Sequence, residues 1–172
     1  MPTRNTAPDL STSLLLAFAT NERINQVLLD GLPDTAWNAK VPELSARTIA
    51  AIFAHMHNVR LMWLKMVAKP AHLPAKLNRA TVTKQEAKDA LAASHSALAD
   101  VLRICLVDGK VPNFSAGPAG LIGYLIAHDA HHRGQICTLV RQLSARLSDE
   151  VIFAMWDWPK RAKEVARLPY KS

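Results

Sequence analysis

The chain has 172 residues, 49% hydrophobic and 20% charged, which is the size of one domain (1–172) and too apolar for a disordered chain. Twenty-one Lys and Arg against 14 Asp and Glu give a net charge of +7. That excess is scattered from Arg4 to Lys171 without a basic run, so it reads as a soluble surface and nucleic-acid binding is not expected.

After a polar tail, residues 10–31 predict a first amphipathic helix, closed by Gly31 and Pro33. Its apolar run 14–19 is too short for a signal peptide, and Asn21, Glu22, Arg23 and Asn25 follow where a cleavage site would stand. The turn-rich LPDTAWNAKVPELS leads to a second helix over 47–68, with Ser45 as N-cap and Pro70 beyond its end. KPAHLPAKLNRATV is a long connector. Thr83 opens a third helix with TKQE, the spacing of a capping box, and Asp108-Gly109 ends it. A fourth helix is expected over 118–147, with Pro118 in its first turn, and a short C-terminal helix over 159–168, after MWDW.

No segment alternates as a strand does, and no stretch approaches the roughly 20 apolar residues of a membrane span. Cys105 and Cys137 lack CxxC spacing and lie in apolar helical patterns, as buried thiols in a reducing compartment do. The expectation is a cytoplasmic, all-α, four-helix bundle with a short C-terminal helix and no membrane partner.

The stretch HDAHHRGQI places three histidines within five positions. His128 and His132 are spaced i, i+4, so both project from the face that carries Leu121, Leu125, Ile136 and Leu139. Such a pair chelates one ion without distorting a helix, although ordinary hydrogen bonds also satisfy it. His131 points toward the stripe of Gly134, Thr138 and Gln142. A third ligand is available in AHMHN of the second helix. There His55 shares a stripe with Ile52, Val59, Met62 and Met66, whereas His57 lies about 160° away beside Phe53, Leu61 and Leu64. His55 is the better candidate for the interior. Two helices aiming histidines inward favour a shared partner, since unpaired buried polar groups are costly. His72 and His95 show no comparable pattern and are assigned to the surface. Asp129, His131 and Arg133 read as surface or interface residues, and no catalytic residue is named.

Four segments, LLDGLPDTAW, IAAIFAHMHNVRLMWL, HDAHHRGQI and MWDWPK, together resemble the DinB/YfiT-like family of metalloenzymes. The resemblance implies a bundle with up-down-down-up topology, often a homodimer, and a three-histidine site for a divalent metal, usually zinc or nickel. On this chain the ligands would be His55, His128 and His132. The connector 69–82 agrees with that topology, because parallel second and third helices need a crossover. Family relatives include transferases and isomerases that use low-molecular-weight thiols such as bacillithiol or mycothiol. The implied function is a metal-dependent enzyme on a small-molecule substrate, thiol transfer ahead of hydrolysis. The alternatives are a non-catalytic metal or small-molecule binding module and a metal-free helical interaction protein. Self-association through the Gly134 and Thr138 stripe is also expected, with packing of that stripe inside the bundle as the other reading.

Overall fold

Side-chain caps set where the helices begin. In the computed structural model, which describes residues 9–42, 47–68 and 73–167, Asp9 accepts from Thr12 N at 3.0 Å and opens α1, Leu10–Gly31. Thr48 accepts from Ala51 N at 3.2 Å and opens α2, Ile49–Val67; Ser45 lies outside the described residues. Thr83 and Glu86 form the capping box expected from TKQE, and α3, Lys84–Asp108, ends at Gly109 with φ 67°. The next helix, α4, Gly117–Gln142, has no side-chain cap and carries Pro118 in its first turn. It stops short of 147 because Ser144 turns left-handed at φ 54° and Ala145 N–H reaches back to Val140 O at 3.0 Å.

Two short helices follow where one was expected. Ser148 caps α5, Asp149–Trp156, and Asp157 caps α6, Trp158–Ala166. Val151, Ile152 and Met155 of α5 pack on the bundle core. Gly31 permits this approach, since a Cβ there would lie 2.5 Å from Val151 Cγ2.

The bundle holds two apolar clusters with a polar layer between them. One cluster includes Leu28, Phe53, Leu91 and Ile136; the other includes Phe18, Leu64, Leu98 and Leu125. Along α1 the chain passes from Phe18 through Asn21, Glu22 and Asn25 to Leu28. Along α2 it passes from Phe53 through Arg60 to Leu64, and along α3 from Leu91 through Ser94 to Leu98. Along α4 it returns from Leu125 through Asp129 and His132 to Ile136. Helices α1 and α4 therefore run one way and α2 and α3 the other. This is the up-down-down-up order.

By length and composition α3 is apolar enough to cross a membrane, contrary to the expectation that no stretch would be. Its leucines, valines and Ile104 supply most of that hydropathy. Its buried residues Leu91, Leu98 and Leu102 belong to the bundle, and the helix packs against α1, α2 and α4.

Arg60 is the hub of the polar layer. One of its terminal nitrogens donates to Glu22 Oε2 and Asp129 Oδ2, each at 2.7 Å, and the other to Leu91 O at 3.0 Å. Asn21 and Asn25 donate to the same Asp129 oxygen at 2.7 and 2.9 Å. Arg133 in turn donates to the amide oxygens of both asparagines, at 2.8 and 2.6 Å. Burial alone would raise the Asp129 pKa, but Arg60 and the hydrogen bonds overcome it and hold the carboxyl well below its usual range. Asp129 is thus buried and Arg133 partly so, where surface or interface positions were expected. The expectation allotted α4 one buried stripe; α1 packs on another and covers these residues.

His95 also departs from its surface assignment. Its ring lies 4.6 Å from that of Phe18, and its buried Nε2 has no partner among the described residues. Burial pushes its pKa down to about 4.

Candidate metal centre

The polar layer reaches the edge of the bundle between α2 and α4, and three histidines gather there. His55, His128 and His132 each offer a ligand atom, and these atoms all lie within 4.8 Å of one another. The His128 and His132 Nε2 atoms are 3.1 Å apart. The i, i+4 spacing on α4 places that pair, and the close packing of α2 on α4 brings His55 to it.

His55, not His57, joins the cluster, but the reason differs from the one expected. Met62 and Met66, read as an inward stripe, are 45% and 37% exposed, whereas Phe53, Leu61 and Leu64 are buried. His57 belongs to this buried side. Its ring nitrogens face Ala75 O and Ala90 O, both at 2.9 Å, and so tie α2 to the connector and to α3. His55 sits on the half-buried edge of α2 that meets α4. His131 is exposed and approaches Gln135. Gly134 and Thr138 are exposed as well, so their stripe does not pack inside the bundle. His72 lies outside the described residues.

The donor set fits a divalent ion. Two nitrogens bound to one zinc at tetrahedral angles stand about 3.3 Å apart, close to the 3.1 Å between His128 and His132. Gln135 Oε1 accepts from His132 Nδ1 at 2.8 Å, which leaves the Nε2 lone pair free. Asp129 Oδ1 lies 3.9 Å from His128 Nδ1 and favours a proton on that nitrogen, again leaving Nε2 as the ligand. Burial pushes the His55 pKa down to about 4, reinforced by the charges of His132, Arg47, His128 and Arg79. His132 is lowered too, chiefly by burial, against the opposing effect of its hydrogen bond to Gln135. Neutral imidazoles are the form a metal takes.

Cationic and aromatic groups flank the cluster. Arg79 donates to His55 Nδ1 at 3.2 Å. Arg47 is near enough for its charge to depress both His55 and His132. The Tyr124 ring stacks on His128 with centroids 6.0 Å apart, and Trp63 packs edge-on against Tyr124 at 5.2 Å.

Comparison with known proteins now decides the family: the model of the DinB family matches residues 1–147. The chain belongs to the DinB family. The matched stretch contains α1 to α4 and the three clustered histidines, and it ends before α5 and the MWDWPK segment. No curated protein and no solved structure matches the chain. In this DinB-family bundle, sequence reasoning overlooked Gln135, Arg79 and Tyr124. Gln135 was within reach, standing three residues after His132 on the same helix. Arg79 arrives from the connector, and no local pattern marks it.

Proposed function

We propose that this protein is a metal-dependent enzyme in which His55, His128 and His132 hold one divalent ion, zinc or nickel, beside a site for a small-molecule substrate. The supporting observation is the convergence of three imidazoles from two helices within 4.8 Å at the open edge of a buried polar layer. When bound, such an ion lowers the pKa of water or of a thiol and so supplies a nucleophile near neutral pH.

The residues around the cluster favour thiol transfer over hydrolysis. A neutral imidazole has one ring lone pair, and that of His55 is engaged by Arg79 at 3.2 Å. With His55 as a metal ligand, the Arg79 guanidinium would lose this partner and remain beside the cluster. Arg79, with Arg47 nearby, is placed to hold the anionic groups of a low-molecular-weight thiol. Tyr124 and Trp63 offer an aromatic wall for the apolar part of an electrophilic substrate.

The test is turnover of a panel of low-molecular-weight thiols with electrophilic aryl halides, using zinc- and nickel-loaded protein. The reading requires thiol-dependent turnover that is lost in His132→Ala. It also requires a higher KM for the thiol in Arg79→Ala, with kcat little changed. Metal-loaded protein that turns over none of these pairs and no ester is a binding module instead.

A further inference from the structure

Away from its metal-site histidines, α4 faces a second recess. Arg133, Cys137 and Arg141 line a cavity of about 380 Å³, together with Trp156 of α5 and Trp158 of α6. The DinB-family match ends at residue 147, so the two helices that complete this cavity lie beyond the matched stretch.

We propose that this cavity binds a small aromatic carboxylate. Its volume falls in the range of small-molecule sites, about 300–1,000 Å³. Arg141 and Arg146 line it against a single acid, Asp149, and neither arginine forms an ion pair among the described residues. Arg133 adds a third guanidinium, and the acids Glu22 and Asp129 that balance it are already engaged by Arg60. The excess charge in the cavity is therefore positive. Trp156 is 78% exposed at the same place. An exposed indole beside the unpaired guanidiniums of Arg141 and Arg146 suits a planar anion, which stacks on the one and bonds to the others. Burial holds the Cys137 thiol in its neutral form, as part of the apolar wall.

Gly134 supplies the decisive variant. It lines the cavity, it lies within α4, and a Cβ added there meets no atom within 4 Å. The Cβ of Gly134→Phe therefore stands in open space, its ring is expected to occupy the cavity, and replacing a mid-helix glycine does not weaken the helix. Calorimetric titration of the full chain with naphthoate should show one saturable site that survives His132→Ala and disappears in Gly134→Phe. Thermal denaturation of Gly134→Phe at or above the native midpoint would show that the fold is intact. The double variant Arg141→Gln, Arg146→Gln should bind roughly tenfold more weakly, as should the neutral naphthylmethanol on native protein. Absence of saturable binding overturns the proposal, as does equal affinity for the alcohol. Loss of binding in His132→Ala but not in Gly134→Phe would move the ligand to the histidine cluster. A native dimer that Gly134→Phe converts to monomer, with naphthoate not bound, would make a second copy of the chain the occupant.

Discussion

His55 and His132 meet edge to face with ring centroids 4.8 Å apart, although one belongs to α2 and the other to α4. Two residues along α2, His57 is turned away and bonded to backbone carbonyls of the connector and α3. The two histidines of AHMHN therefore have separable roles. His55→Ala should abolish tight metal binding with little loss of stability. His57→Ala should keep the metal and lose about 1–3 kcal/mol of stability, because the buried ring that ties α2 to the connector and α3 is removed. Metal titration and urea denaturation of both variants would show this split; an exchange of the two phenotypes would refute it.

Gln135 touches both His132 and His131, but only the first contact bears on metal ligation. Its Oε1 holds the His132 proton on Nδ1. Gln135→Ala should weaken metal binding about 10–100-fold. His131→Ala removes an exposed ring and should leave affinity close to native. Competition titration with a zinc chelator measures both, and equal losses would argue against this reading of the hydrogen bonds.

Arg60 and Asp129 form the central ion pair of the buried layer, 2.7 Å apart and almost inaccessible to water. Arg60→Met leaves Glu22 and Asp129 buried without their cation, and should cost about 3–5 kcal/mol. Asp129→Asn keeps the shape of the side chain and removes the charge that Arg60 faces. The asparagine variant should nonetheless be more stable than Arg60→Met, since one buried acid remains to match the guanidinium. Urea unfolding at pH 7 checks the order, and a reversed ranking would contradict it.

Acid sensitivity should have a contribution from His95. Its pKa falls from the ordinary 6.5 to about 4 on burial, so between those values the unfolded chain takes a proton that the folded chain refuses. Stability is then retained above pH 6.5 and lost as the pH drops toward 4, by up to ~1.4 kcal/mol per pH unit from this residue. His95→Phe, which keeps a ring against Phe18, should flatten that slope. Urea midpoints of native and variant protein between pH 7 and pH 5 measure it; parallel slopes would contradict the assignment.

Features written in a few adjacent residues were legible in the sequence. The TKQE box, the stop at Gly109 and the shared direction of His128 and His132 all depend on helical geometry alone. The faces of α2 were harder to read, because both its stripes are apolar and only packing shows that Met62 is exposed while Leu61 is buried. Asp129 and Arg133 were misplaced for a related reason. Their burial depends on Asn21, Asn25 and Arg60, which lie far away in sequence and are polar themselves. A polar residue among polar residues carries no hydrophobic signal. The α5 helix was overlooked because its eight residues gain their order from contact with the bundle, through Val151, Ile152 and Met155.

The central claim is that His55, His128 and His132 share one metal ion. Metal content of the natively purified protein, by mass spectrometry after gel filtration, tests it most directly when His55→Ala and His132→Ala are measured in parallel. The account predicts about one zinc or nickel ion per native chain, in keeping with a single three-histidine site, and almost none in either variant. A native protein that takes up neither ion, or variants that keep the full complement, would contradict it.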